Sequence, residues 1–193
     1  MRDATPGSDT PGDPAGGVLV VGYGNTLRSD DGVGWHAAAL LADDPRLAGD
    51  PGVEVVACHQ LTPELALDMS RASLVILVDA EADPGAPPGA ITIRPLEPAG
   101  PDAAVGGSGW AGGPGGAGEP GASSHHVGPA DLLAVCRELY GASPDVIVIG
   151  VGTLTMDLGE SLSTPVAAAL PAVADAVAEL VAAHRRSGRS RLR

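Results

Sequence analysis

A chain of 193 residues with 44% apolar content suits one globular domain around one sizeable core, and with no Phe that core must be filled by Val, Leu, Ile and Ala. All 11 basic residues are Arg, and 24 acidic residues bring the formal net charge to −13. This balance argues against nucleic acid or an anionic membrane as partner and favours a basic or neutral protein.

Residues 1–16, within "MRDATPGSDTPGDPAGG", lack the apolar stretch of a signal peptide and read as a disordered N-terminal segment. Nowhere do about 18 apolar residues run uninterrupted, so a soluble, cytoplasmic protein is expected. The first apolar run, "VLVV", leads into "GYGNTLRSDDGVG", Gly22 to Gly34. Gly22 and Gly24 allow a tight turn at the carboxyl end of a strand. Asp30 or Asp31 then suits the N-cap of the following helix, whose orphan amide protons a carboxylate accepts. A dinucleotide-binding loop would need a third glycine at the right spacing and an acidic residue ending the second strand, and neither is present.

The runs "VEVV", "LVILV", "AITI" and "VIVI" follow. They are short, β-branched and nearly unalternated, the mark of strands covered on both faces. Between the runs lie segments of helical period: Val33, Ala37, Leu40 and Leu41; Leu132, Val135, Cys136 and Leu139; Leu170, Val173, Val177, Leu180 and Val181. Thr62-Pro63, Thr164-Pro165 and, more weakly, Gly128-Pro129 look like helix starts, and Pro171 is expected to kink or split the last helix. The fold class is α/β: a single three-layer α/β/α domain over residues 17–184, with a mostly parallel, twisted central sheet of five strands. A Gly/Pro-rich insert at 98–122 and the basic tail 185–193 are expected to lack regular structure. Cys58 and Cys136 have neither metal-site spacing nor the numbers of a disulfide framework, so reduced thiols are expected.

Three places carry candidate chemistry. Asp30 and Asp31 follow the first strand; Asp79 ends "LVILVD", at the carboxyl edge where open α/β sheets bind ligands; His125 and His126 precede a helix in "SSHHVGPADLL". Taken singly, each has a bland reading as cap, turn residue or solvated loop histidine. Taken together, two carboxylates and an imidazole suit a borderline divalent cation such as Ni²⁺ or Zn²⁺ with positions left open for substrate. His59, after the second strand, either lines such a site or is structural.

With these pieces in order, "GYGNTLRSDDGVG", "CHQLTPELA", "VILVDA", "SHHVGPADLL" and "VIVIGVGTLTMDLGESLSTPV", the chain resembles the NiFe-hydrogenase maturation proteases over residues 18–184. The resemblance implies a cytoplasmic, monomeric endopeptidase that removes the C-terminal extension of a hydrogenase large-subunit precursor after nickel insertion. It also implies that nickel supplied by the substrate is recognised by Asp31, Asp79 and His125. Those three would be both metal ligands and catalytic residues, with Zn²⁺ or another divalent ion able to take the same place. The alternatives are a non-catalytic nickel-delivery module, which would bind metal without cleaving a peptide, and a nucleotide-binding protein, which would use the Gly22–Gly34 loop without Asp79 or His125.

Overall fold

A computed structural model describes residues 17–81, 85–96 and 127–191. All five apolar runs are strands: β1 (Val18–Tyr23), β2 (Val53–Cys58), β3 (Leu74–Glu81), β4 (Ile91–Pro95) and β5 (Asp145–Gly152). They form one sheet in the order β2-β1-β3-β5-β4, parallel except for β4, which runs antiparallel along β5. Among the described residues four α-helices accompany them: α1 (Val33–Ala42), α2 (Leu65–Ser70), α3 (Pro129–Tyr140) and α4 (Thr164–Arg191).

The two-residue period of a strand sorts the core into two layers. Val18, Val20, Leu74, Ile76, Val78, Ile149 and Val151 face one side, where α1 covers them with Val33, Ala37 and Leu41, and α4 with Val166, Val173, Val177 and Val181. Leu19, Val21, Val75, Leu77, Val146 and Val148 face the other, under Ala66 and Met69 of α2 and Leu132, Leu133 and Cys136 of α3. The domain is therefore three-layered, as the strand pattern predicts. Coverage on both faces holds for β1, β3 and β5; the edge strand β2 exposes Glu54 and Ala57. Leu40 and Leu139 point to solvent at 44% and 70% exposure, so the helical faces are centred about one residue away from the sequence reading.

Three expectations need correction. Pro171 does not split α4, because it lies on the solvent side, where water can satisfy the carbonyl that its missing N–H leaves free. The basic stretch from Arg185 is not irregular, since α4 continues through it to Arg191. Arginines suit the negative end of a helix, and the ion pair of Arg185 with Asp50 ties that end to the loop before β2. Neither Asp30 nor Asp31 caps α1: a 3₁₀ turn at Ser29–Gly32 intervenes, and Gly32 takes the cap position without any side-chain hydrogen bond. Residues 1–16 and the insert 98–122 lie outside the described residues.

α4 is long and apolar enough to span a membrane by length and composition, but its valine stripe is buried against the sheet. It is a core helix. Both cysteines are free thiols, Cys136 buried on α3 and Cys58 half-buried at the end of β2.

Candidate active site

The strand order reverses between β1 and β3: the chain leaves β1 for β2 on one side and then crosses to β3 on the other. Open α/β sheets form their ligand crevice at the carboxyl ends of strands at such a switch point. Here that crevice is a cleft of about 430 Å³, lined by Tyr23, Gly24, Asn25, Arg28, Asp31, His59, Gln60, Leu61, Asp79 and Val127–Pro129.

Parity places the two residues of its floor. Tyr23 lies on the same face of β1 as Leu19 and Val21, and Asp79 on the same face of β3 as Val75 and Leu77, one step beyond the paired Gly22 and Val78. The Tyr23 hydroxyl donates to the Asp79 carboxylate, and Asp79 Oδ1 also accepts the Ala80 N–H at 2.8 Å. Desolvation dominates and raises the Asp79 pKa to about 7; the two hydrogen bonds oppose the rise, while the charges of Asp31 and Glu81 add to it. Burial, helped by the adjoining Asp79 charge, pushes the Tyr23 phenol well above its ordinary value, so it remains a donor at neutral pH.

Asp31 reaches the cleft from above the sheet. The glycines at 22 and 34 make this possible: a side chain at Gly22 would strike the Gly34 carbonyl, and one at Gly34 would strike the carbonyls of Tyr23 and Val78. Helix α1 therefore starts almost in contact with β1 and β3. Gly24, at φ +139°, turns the chain back under Asp31, whose Oδ2 accepts the Asn25 N–H at 3.2 Å. Two carboxylates thus share one cleft.

The neighbouring Asp30 has a different role. It is fully buried, and its carboxylate accepts the N–H groups of Leu154 (2.9 Å), Thr155 (3.1 Å) and Ser163 (2.6 Å) and the Ser163 hydroxyl (2.9 Å). Burial alone would raise its pKa, but these donors hold it below the ordinary Asp value. Asp30 clamps the loop between β5 and α4 and contributes nothing to the cleft lining.

Glu81, 7% exposed on the same strand face as Asp79, reaches across the bare Gly150 of β5 to the hydroxyl of Thr92 (2.7 Å) and to Arg94 Nη2 (3.4 Å). A Cβ at Gly150 would lie 2.7 Å from Thr92 Oγ1 and 2.9 Å from Glu81 Oε2, so only glycine leaves this path open. Neither Tyr23 nor Glu81 is among the candidates named from the sequence. The parity of their strands was the available signal, since both lie an even number of residues from core positions on the Asp79 face.

Of the three residues named as ligands, Asp31 and Asp79 meet in the cleft, and His125 lies outside the described residues. The chain enters the described region at Val127, which already forms part of the cleft wall. The exposed His59 lines the same wall. Among the described residues no group of three His, Cys, Asp or Glu side chains is close enough to hold a metal ion.

No family model and no curated protein matches the chain. Solved structures do. It is similar to the NiFe hydrogenase maturation protease HycI from Thermococcus kodakarensis KOD1, with a TM-score of 0.62 and 22% identity over 86% of this chain and 92% of that one. It is similar to the hydrogenase 2 maturation peptidase of a Thaumarchaeota archaeon, with a TM-score of 0.59 and 28% identity over 86% and 98%. It is also similar to the hydrogenase maturating endopeptidase HybD from E. coli, with a TM-score of 0.62 and 23% identity over 89% and 94%. HycI and HybD establish the fold, and the archaeal peptidase extends the likeness to sequence. The family resemblance read from the motifs holds.

Proposed function

From the fold and motif order of the NiFe-hydrogenase maturation proteases, we propose that this chain is the endopeptidase that trims the C-terminal extension of a hydrogenase large-subunit precursor in the cytoplasm. Nickel, in this reading, arrives with the precursor and is met by Asp31, Asp79 and His125. The observation that carries the reading is the pairing of Asp31 with Asp79 in one cleft at the switch point, with Asp79 held near pH 7. Two converging carboxylates, one of them destabilised as an anion by burial and by the charge of the other, form a site that favours a cation. Hard oxygen donors joined by one imidazole suit a borderline divalent ion. Two peptide units separate His125 from Val127 on the cleft wall, a span of at most about 7 Å.

When bound, such an ion polarises a carbonyl or activates a water. The residues of the chain supply the rest. A carboxylate oxygen of Asp79 or Asp31 left free of the ion can take a proton from an attacking water and return it to the departing amine. The Tyr23 hydroxyl fixes the orientation of the Asp79 carboxylate. Gln60, Asn25 and His59 offer polar groups along the wall to an extended peptide.

The test is incubation with nickel-loaded large-subunit precursor and mass measurement of both products, alongside the Asp79→Asn variant. Wild type should release the extension as one peptide, and folded Asp79→Asn should be slower by at least about a thousandfold, some 4 kcal/mol of barrier. Nickel uptake by wild type without a new chain terminus would overturn the reading.

A further inference from the structure

The loop between β5 and α4 is built with more care than its own burial explains. Asp30 clamps it through three backbone N–H groups and a hydroxyl. Residues 27–30 run beside it as a short ladder: Gly159 N–H donates to the Leu27 carbonyl (3.0 Å), Ser29 N–H to the Gly159 carbonyl (2.8 Å) and Asp30 N–H to the Thr155 carbonyl (3.2 Å). Arg28 Nε adds a bond to the Met156 carbonyl, and the Ser29 hydroxyl one to the Asp157 carbonyl. Ser29 is held at φ +46° to complete this pairing, a conformation that costs a serine about 1 kcal/mol or more.

Yet the side chains displayed on the two paired segments face water. Leu27 is 54% exposed, Leu154 61% and Leu158 91%. A single exposed leucine is ordinary, but three on one hydrogen-bonded pair of segments, with exposed Asp157 and Glu160 beside them in sequence, put apolar area and negative charge on the same locked structure. Rigid display removes the ordering cost that a mobile loop would meet on binding. The surface adjoins the cleft, because Asn25, Arg28 and Asp31 line the cleft from the same short stretch that carries Leu27.

We infer that Leu27, Leu154 and Leu158 form a docking surface for the folded body of the precursor whose extension enters the cleft. This rests on the function proposed above. A face suited to this surface would be apolar with a basic rim, complementary to Asp157, Glu160 and the net charge of −13. Docking there would seat the partner against the cleft wall and let the tail run over Tyr23 and Asp79.

The experiment compares wild type with a Leu154→Ser/Leu158→Ser variant in processing of the nickel-loaded precursor, in binding to the uncut precursor, and in sedimentation of each protein alone. The variant should melt like wild type, raise KM by about tenfold or more and leave kcat unchanged, since two leucine side chains no longer withdrawn from water on docking forfeit at least that much affinity. An unchanged KM would overturn the inference. So would a wild-type dimer that the substitutions dissociate, because the surface would then belong to a second copy of the chain. If wild type binds the precursor without cutting it and the variant does not bind, the docking surface stands and the protease reading falls.

Discussion

Asp30 and Asp79 are both surrounded by protein at the carboxyl edge of the sheet, and their environments drive them in opposite directions. Asp30 is enclosed by donors from a loop more than 120 residues away in sequence, and its pKa falls. Asp79 has one phenol and one amide against strong desolvation and two neighbouring carboxylates, and its pKa rises to about 7. Burial of a carboxylate therefore has no fixed sign. The supply of donors decides whether the group becomes a structural clamp or a reactive site with its ionisation frustrated.

The largest effect expected from this contrast is on stability at Asp30. Asp30→Ala removes the acceptor for four donors, and about 3–5 kcal/mol of unfolding free energy should be lost in urea titrations. Because the folded pKa of Asp30 lies below its unfolded value, its contribution is present above the ordinary carboxylate range and disappears as pH falls through the lowered value. Wild type should lose stability on that acid limb, and Asp30→Asn should flatten it. A limb of equal steepness in the variant would mean that Asp30 is not the clamp.

At Asp79 the sign reverses. Its folded pKa is raised, so the fold is best stabilised where Asp79 is protonated in both states, below about pH 4, and loses stability as pH rises toward 7. In metal-free protein, Asp79→Asn should match wild type in acid and exceed it by about 1–3 kcal/mol above pH 7, after allowance for partial solvent access. Thermal melts at pH 4 and pH 8 test this. A destabilised Asn variant at pH 8 would place Asp79 in the same class as Asp30.

The smallest expected effect is at Tyr23. Tyr23→Phe deletes a donor that lowers the Asp79 pKa, so in metal-free protein the Asp79 titration, followed by its carboxyl NMR shift, should move up by about half to one pH unit. Stability should change by no more than about 1 kcal/mol. An Asp79 titration identical to wild type would remove Tyr23 from the site.

Much of this was legible in the residues. The five β-branched runs located every strand among the described residues, and "LVILVD" placed Asp79 near a strand end with its parity fixed by Val75 and Leu77. The glycines of "GYGNTLRSDDGVG" marked a tight turn, while the close approach of α1 to β1 and β3 that Gly22 and Gly34 permit emerged only in the fold. Less legible was the division of labour between Asp30 and Asp31. As either candidate cap or candidate ligand, the adjacent pair looks interchangeable in sequence.

Local sequence determined the strands, the helical segments and the candidate carboxylates, because side-chain period and backbone preference act over a few residues. The motif resemblance chose Asp31 over Asp30, and the tertiary structure supplied the physical reason that Asp31 lines the cleft. A 3₁₀ turn rotates adjacent side chains by about 120°, so Asp30 and Asp31 cannot face the same way. The donors that capture Asp30 come from residues 154–163, brought beside it by the crossing of the chain through the sheet order β1-β3-β5. The desolvation of Asp79 arises in the same way, from strands and loops that meet only once the sheet is assembled.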